Sequence, residues 1–216
     1  MASEDSAVKR HPEILSAAQK KVLGKLGPSM TRRSFYLGGG TAVAIHTGHR
    51  RSVDLDWFTE GRIPDAALLA RDLQDEGIPF VTRQIDRGTL HGTVSGVRIS
   101  FLEYRYPLLR PALLWSDYGC KLAALDDLAC MKLSAVAQRG SKKDFVDIYA
   151  LGLKHKSLPE MLRLYQQKYA IADVAHVLYG LAYFEDADRE RMPRMGWDVD
   201  WRTAKKTIQQ WVKEMA

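Results

Sequence analysis

Cysteine is scarce in this chain, and long apolar segments are missing altogether. The two cysteines among 216 residues, Cys120 and Cys130, form no Cys-x-x-Cys pair, which argues against a disulfide framework or a structural zinc site. No apolar run approaches the roughly 20 residues needed to cross a bilayer, and the opening residues MASEDSAVKRHPE lack the apolar core of a signal peptide. We therefore expect a reduced, cytoplasmic protein without membrane segments.

The remaining composition is that of an ordinary folded protein with a basic balance. Hydrophobic residues make up 46% of the chain, which is ample for a core in one large domain or two small lobes. There is no internal repeat and no low-complexity tract. The formal net charge of +6 favours a polyanionic partner, with nucleic acid or nucleotide as the obvious class, although many basic proteins bind neither.

The residue pattern changes once along the chain. β-rich segments mix with helices up to about Pro111, and helical periodicity dominates from Leu125. We therefore predict an α/β (α+β) fold with a mixed-sheet lobe, residues 1–118, followed by a helical lobe, residues 119–216. The predicted strands are Ser34 to Leu37, Val53 to Phe58, Phe80 to Ile85, Thr89 to Val94 and Val97 to Tyr104. The predicted helices are Pro12 to Leu26, Thr41 to His46, Ala66 to Gln74, Asp126 to Gln138, Ser141 to Leu153, Leu158 to Tyr169, Asp173 to Phe184 and Thr203 to Met215.

The segment LGGGTAVAIHTGHRRSVDLDWF, residues 37–58, joins a strand, a glycine turn, a helix and a second strand. Gly39 and Gly40 would let backbone N–H groups approach a phosphate at a helix N-terminus. Asp54 and Asp56, two residues apart on a strand, would project to one side and could share Mg²⁺. Taken singly, a triple glycine is usually a turn and two such aspartates are usually a solvated face, so only their order and spacing are specific.

This order resembles the core of the nucleotidyltransferase superfamily and, more narrowly, the AbiEii/AbiGii toxin family of nucleotidyltransferases. The family pattern reads GGTA followed by HR-x-S-x-DLD-x-F. In this chain the matching residues are Gly39, Gly40, Thr41, Ala42, His49, Arg50, Ser52, Asp54, Leu55, Asp56 and Phe58. The resemblance implies catalysis with Mg²⁺ on Asp54 and Asp56, and an NTP held by the glycine turn, Thr41, Arg50 and Ser52.

A second matching segment, DDLACMKLSAVAQRGSKKDFVDIYAL at residues 126–151, carries the family's KL-x-A pattern. It also resembles the family's R-x-x-KD-x-x-D pattern, with one more residue between the arginine and the lysine. The resemblance implies that Lys132 binds nucleotide phosphate and that Asp144 orders the lysine or assists the acceptor. Helical spacing places Arg139 on the same stripe as Lys132, which makes it a further nucleotide-binding candidate. The plainer alternatives are a surface lysine and a capping box of Ser141 with Asp144.

If Lys132 lies on a polar helix face, its truncation to alanine should change stability by under about 0.5 kcal/mol. Asp147 shares a helix face with Asp144 and has no assigned role. A third family-like segment, YFEDADRERMPRM at residues 183–195, contains Asp186 and Asp188, which we expect in a polar loop. Glu103 is the candidate for a third carboxylate, with its strand parity opposite to that of Ser100.

The leading hypothesis is a toxin-like nucleotidyltransferase that modifies RNA, with tRNA as a known acceptor in the family and a winged-helix antitoxin as a possible partner. Transfer to a small molecule or a protein keeps the same chemistry. A catalytically inactive module that binds nucleic acid or a partner is the alternative from another class. If RNA is bound, Arg32, Arg33, Arg50 and Arg51 are expected to contact phosphates, giving a salt-dependent affinity.

Overall fold

The computed structural model describes residues 9–215 of the chain. These residues form two compact units. The first unit contains residues 15–42 and 52–123, and the second contains residues 9–14, 43–51 and 124–215. The boundary predicted from the sequence, between residues 118 and 119, lies just before a strand of the first unit's sheet. The division into lobes 1–118 and 119–216 therefore remains a prediction.

Helix α1 of the first unit begins where Ser16 caps it. The Ser16 hydroxyl accepts a hydrogen bond from the Gln19 backbone N–H, and the Gln19 side chain accepts one from the Ser16 N–H, which is a capping box. The helices of this unit are α1 (Ala17–Arg32), the start of α2 (Gly39–Thr47) and α3 (Ala66–Asp75). From residue 43 onward, α2 belongs to the second unit.

A seven-stranded mixed sheet forms the body of the first unit. Its strands are β1 (Tyr36–Leu37), β2 (Leu55–Thr59), β3 (Phe80–Asp86), β4 (Thr89–Val94), β5 (Val97–Glu103), β6 (Leu113–Trp115) and β7 (Cys120–Leu122). The spatial order is β3-β4-β5-β2-β1-β7-β6. Strand β2 lies at the centre, parallel to β5 and antiparallel to β1.

The two faces of the sheet differ in burial, and this difference positions the candidate site. Side chains alternate between faces along each strand. One face is apolar and buried; it includes Leu55, Trp57, Leu90, Ile99 and Phe101. On the other face, Asp56, Ser100 and His91 are half-buried and therefore reachable.

The second unit is helical. Its helices are the remainder of α2, then α4 (Leu125–Gln138), α5 (Lys142–Lys154), α6 (Leu158–Tyr169), α7 (Ala175–Ala182), α8 (Glu185–Arg189) and α9 (Trp201–Lys213). Helix α5 contributes Phe145, Ile148 and Tyr149 to the core. Phe145 packs against Phe184 and Trp201, and Tyr149 stacks on Trp211.

The predicted α/β fold class is confirmed, and the differences are local. The helix expected from Pro12 is a short 3₁₀ turn at Pro12–Ile14 followed by α1. Val53, the first residue of the strand predicted at Val53 to Phe58, lies before β2 and is 64% exposed. Asp126, the first residue of the helix predicted at Asp126 to Gln138, lies in the first turn of α4 and pairs with His155 at 2.7 Å. Within residues 9–215, no helix combines the length and apolarity required to span a bilayer.

Candidate active site

The glycine turn fits closely against Asp56. The Gly38 N–H donates to the Asp56 carbonyl oxygen at 2.9 Å, so the turn is tied to strand β2. Gly39 has a φ of +62°, and a Cβ at this position would lie 2.5 Å from Oδ2 of Asp56. Any side chain would therefore be strained in the backbone and would collide with the carboxylate. Residue 39 must be glycine for Asp56 to keep this position.

The start of α2 is fastened to the residues around the two aspartates. Thr41 is fully buried, and its hydroxyl donates to the carbonyl oxygen of Asp54. Ser52 offers its carbonyl oxygen to the Gln19 side-chain amide at 2.9 Å. These bonds fix the backbone on both sides of the strand that carries the carboxylates.

Asp54 lies just before strand β2, and Asp56 is the second residue of that strand. Both side chains are partly exposed. Oδ1 of Asp54 accepts a hydrogen bond from Nε of Arg98 on β5 at 2.5 Å. The Arg98 side chain is 68% exposed, so this ion pair is screened by water and contributes little to stability. Asp56 is in register with Ser100 of β5.

The donor set suits Mg²⁺ better than a metal enclosed by protein. Among residues 9–215, no group of three or more His, Cys, Asp or Glu side chains could hold a metal ion. Mg²⁺ is commonly bound by one or two carboxylates together with substrate phosphates and water. The side chains of Asp54 and Asp56 are both partly exposed, and Gly39 places no side chain against Oδ2 of Asp56. Asp54 and Asp56 therefore fit Mg²⁺.

Glu103 lies away from the two aspartates. Its register partner on β2 is Thr59, three residues beyond Asp56. Its carboxylate accepts hydrogen bonds from Arg105 at 2.6 Å and from the Ile63 N–H at 2.6 Å. These bonds, from Arg105 first and from Ile63 next, hold the pKa of Glu103 below its ordinary value. Glu103 thus anchors a loop, and Ser100 is the residue that lies beside Asp56.

The second unit contains a buried charge cluster centred on Asp147. Arg50 binds both carboxylate oxygens of Asp147, with Nε at 2.6 Å and Nη2 at 2.9 Å. His49 donates from Nε2 to Oδ1 at 2.7 Å, and Lys132 Nζ lies 2.7 Å from Oδ2. Asp147 is fully buried and receives four donors, which is the full accepting capacity of a carboxylate.

Asp144 is saturated in the same way, one turn earlier on α5. Lys132 Nζ donates to its Oδ1 at 2.9 Å, and Arg139 donates through Nε at 2.8 Å and Nη2 at 3.1 Å. The Ser141 hydroxyl donates to Oδ2 at 2.6 Å. Lys132 therefore bridges the two aspartates, using two of its three N–H donors.

Burial and charge act against each other in this cluster. Burial alone would raise the pKa of Asp147, but the charges of Arg50 and Lys132 outweigh it and hold that pKa well below its ordinary value. The pKa of Asp144 is lowered for the same reason, chiefly by Lys132. Burial lowers the pKa of His49 despite its bond to Asp147. The pKa of Lys132 is raised, since the two carboxylates outweigh its burial.

A comparison with known protein families identifies the chain. The sequence profile of the nucleotidyl transferase AbiEii toxins, of the type IV toxin–antitoxin system, matches residues 22–212. This chain belongs to the AbiEii family. It is accordingly a nucleotidyltransferase. An uncharacterized protein of Aquifex aeolicus (strain VF5) is 40% identical over 179 residues, which are 82% of this chain and 86% of the relative.

Solved structures share the fold at low identity. MenT4, a nucleotidyltransferase toxin from Mycobacterium tuberculosis H37Rv, is 16% identical with a TM-score of 0.55, covering 92% of this chain and 82% of that one. JHP933 from Helicobacter pylori is 14% identical with a TM-score of 0.56, covering 95% and 93%. The antibiotic-resistance factor ANT(2'')-Ia is 10% identical with a TM-score of 0.56, covering 72% and 95%.

The structure changes what the AbiEii motif residues of the second unit can do. Lys132 was expected on an exposed polar face but is 4% exposed and paired twice, so its truncation cannot be nearly neutral. Arg50 was expected to touch phosphate, yet its guanidinium is buried and its donors go to Asp147 and to the Arg51 carbonyl. Arg139, with its side chain 58% exposed, is the cluster's reachable cation.

The predicted residues Asp186 and Asp188 of this AbiEii-family chain lie on one short helix. Asp188 lies on the short helix α8 and binds Lys205 and the Trp201 indole N–H, each at 2.7 Å. Asp186 is exposed on the same helix. Both lie on a helix, where the sequence predicted a polar loop. Trp201 and Trp211 pack against aromatic residues.

Two features of the sites escaped sequence reasoning. The sequence paired neither His49 nor Arg50 with Asp147, although a second aspartate three residues after Asp144 was the available signal. The contact between His91 and Ser100, at 3.1 Å, had no signal in the sequence, because it depends on the register of β4 with β5.

A cavity of about 670 Å³ in the first unit is lined by Glu103, Arg62 and Arg87 among others, and neither Asp54 nor Asp56 borders it.

Proposed function

We propose that this nucleotidyltransferase moves a nucleoside monophosphate from an NTP to RNA, tRNA being the first candidate acceptor, with Mg²⁺ held by Asp54 and Asp56. The observation that carries the proposal is the approach of Gly39 to the Asp56 carboxylate. This approach brings a glycine turn suited to phosphate binding next to a carboxylate suited to metal binding, and both lie in the first unit.

In this proposal the first unit holds the triphosphate. The backbone N–H groups of Gly39, Gly40 and Thr41 open α2 and have no intrahelical acceptor, so they suit phosphate oxygens, as does the positive end of the helix. Ser52 offers a hydroxyl near the same strand. Bound Mg²⁺ would bridge nucleotide phosphates and offset the charge of the reacting group.

The residues of the buried cluster take a different role. We propose that Asp144 and Asp147 fix Lys132, whose third N–H has no partner among the described residues and suits a phosphate oxygen. Asp144 is a poor candidate for assisting the acceptor, because all its accepting positions are filled. Arg139 has a side chain that is 58% exposed, which suits contact with a phosphate.

The RNA acceptor and a protein partner are the less constrained parts of the proposal. The net charge of +6 favours a polyanionic acceptor. Because the family belongs to type IV toxin–antitoxin systems, we also propose an antitoxin partner of the winged-helix type. The second candidate is a small-molecule acceptor, favoured by the fold shared with the antibiotic-resistance factor ANT(2'')-Ia.

The test is a labelling experiment. The protein is incubated with Mg²⁺ and each α-labelled NTP in turn, together with total RNA, a protein lysate or neither. We expect label in RNA with one or few NTPs, and none after EDTA is added. Label in protein or in a small-molecule fraction would show that RNA is not the acceptor, while the proposed nucleotidyl transfer would stand. No label in any fraction would contradict the proposed function.

A further inference from the structure

A row of polar residues crosses the open face of the sheet beside Asp56. Asp56 on β2 is in register with Ser100 on β5, and Ser100 is in register with His91 on β4. Paired residues on neighbouring strands project to the same face. The Cα atoms of Asp56 and His91 are thus separated by two strand spacings, about 10 Å. All three side chains are half-buried, so a substrate can reach them.

Ser100 holds the imidazole of His91 in place. The Ser100 hydroxyl lies 3.1 Å from Nδ1 of His91. Within residues 9–215, Nε2 of His91 has no hydrogen-bond partner. When Nδ1–H donates to the Ser100 oxygen, Nε2 carries the lone pair and can accept a proton. The pair is therefore a base held by a neighbouring hydroxyl, and its free nitrogen lies on the half-buried face.

A base in this position can take the acceptor proton during nucleotidyl transfer, and the other candidates on this sheet are engaged elsewhere. Asp54 pairs with Arg98 and, with Asp56, is proposed to hold Mg²⁺. Glu103 binds Arg105 and the Ile63 N–H at the far end of the strand. Histidine is the side chain best suited to proton transfer near neutral pH.

We propose that His91, oriented by Ser100, is the general base that takes the proton of the acceptor hydroxyl; this inference rests on the proposed function. The acceptor oxygen forms a bond to the α-phosphorus of the NTP as its proton moves to Nε2 of His91. The bond between the α-phosphorus and the bridging oxygen breaks, and pyrophosphate leaves with that electron pair. The proton on His91 then passes to solvent.

The charged neighbours of His91 are few. On the same face, β2 presents Asp56, β5 presents Arg98, which is paired with Asp54, and β3 presents Asp86, which accepts a hydrogen bond from Gln84. Gln84 is the direct partner of His91 on β3. Arg98 and Asp86 already have partners on this face, and Asp56 is tested by its own substitution, so the acid limb of a pH profile can be assigned to His91 by comparing the variants.

The test compares His91→Gln and Ser100→Ala with wild type. Their rates of pyrophosphate release are measured with Mg²⁺, NTP and the RNA or lysate fraction that accepts label. We expect kcat to fall by about 100-fold or more in His91→Gln, with a smaller fall in Ser100→Ala. The wild-type kcat/KM should decrease tenfold per pH unit on the acid side, and this limb should vanish in His91→Gln. His176→Gln removes a surface histidine and should behave as wild type.

The outcomes separate the inference from the function on which it rests. A folded His91→Gln protein with wild-type kcat, or with an unchanged acid limb, overturns the role of His91. Unfolding of His91→Gln with wild-type kinetics in Ser100→Ala also overturns it, because the pair would then be structural. Activity in Asp56→Asn, or no activity in wild type, contradicts the proposed function, and the inference falls with it.

Discussion

At the scale of single residues, Gly39 shows how a missing side chain can define a site. Replacing Gly39 by alanine forces a Cβ to within 2.5 Å of Oδ2 of Asp56 and strains a residue at φ +62°. We expect Gly39→Ala to lower kcat/KM for nucleotidyl transfer by at least about 100-fold, because displacing the carboxylate removes several kcal/mol of charge stabilisation.

The matched control is Gly96→Ala. Gly96 has a φ of +80° with nothing near its would-be Cβ, so it shares the backbone strain of about 1–2 kcal/mol without the collision. If the two variants lose the same stability and both remain active, Gly39 has no role in the site.

Lys132 is the residue whose substitution should cost the most stability in the second unit. Its removal leaves Asp144 and Asp147 buried without their shared cation. Breaking a buried ion pair from one side typically costs about 3–5 kcal/mol. We expect Lys132→Met to lower the free energy of unfolding by that amount, measured by urea denaturation.

Lys143 provides the comparison for this variant, since it is exposed on the first turn of α5. Lys143→Met should change the free energy of unfolding by less than about 0.5 kcal/mol. If both substitutions change the free energy of unfolding by equally small amounts, Lys132 does not form stabilising buried ion pairs and behaves as the surface lysine that the sequence suggested.

At the scale of elements, local pattern and long-range pairing were not equally predictable. The predicted strand Thr89–Val94 and the predicted helix Leu158–Tyr169 agree with the structure. Both are signalled by residues close together in sequence, the strand by its alternation and the helix by its cap. Strands β6 and β7 were missed, since three-residue strands carry little periodicity and form by pairing with distant partners.

The candidate site divides in the same way. The glycine turn and the aspartates of β2 are adjacent in sequence, so their relation was predictable from strand parity. Helical spacing predicted that Lys132 and Arg139 face one side, but it could not predict that Lys132 is buried between two carboxylates. That contact depends on how α5 packs, and the partnership of Asp147 with residues 49 and 50 spans almost 100 residues.

The buried cluster on α4 and α5 should make stability depend on pH. Since burial lowers the pKa of His49 in the folded protein, the unfolded chain binds the extra proton first. Stability should therefore fall as pH drops below about 6.5, the ordinary value for histidine. Burial also lowers the pKa of His155, which adds to the fall. The lowered pKa values of Asp144 and Asp147 add a further loss below about pH 4.

Urea denaturation at intervals from pH 7.5 to 5 checks this expectation. His49→Gln should reduce the slope in that window, and His176→Gln should leave it unchanged. A wild-type slope of zero, or an increase of stability toward pH 5, would contradict a neutral His49 in the folded protein.

At the scale of the whole molecule, the arginines near the glycine turn are not equally available to RNA. Arg33 lies 2.7 Å from Glu76, and Arg32 lies 3.2 Å from the same residue. Arg51 is exposed and has no side-chain ion pair among the described residues. We expect RNA affinity to fall with salt, and the log–log slope to become shallower by about 0.7–0.9 in Arg51→Ala.

Arg33→Ala is the paired comparison and should leave that slope unchanged. Filter binding of total tRNA at several salt concentrations, without NTP, provides the measurement. A flat salt response in wild type would favour a small-molecule or protein acceptor.

The assignment of catalysis to Asp54 and Asp56 is tested by one pair of proteins, wild type and Asp56→Asn. The substitution removes one negative charge from a half-buried strand position at nearly constant volume, so the melting temperature should be almost unchanged. We predict that transfer of α-labelled nucleotide in the presence of Mg²⁺ falls at least about 100-fold. Wild-type transfer by a folded Asp56→Asn protein would show that the carboxylate does not hold the metal.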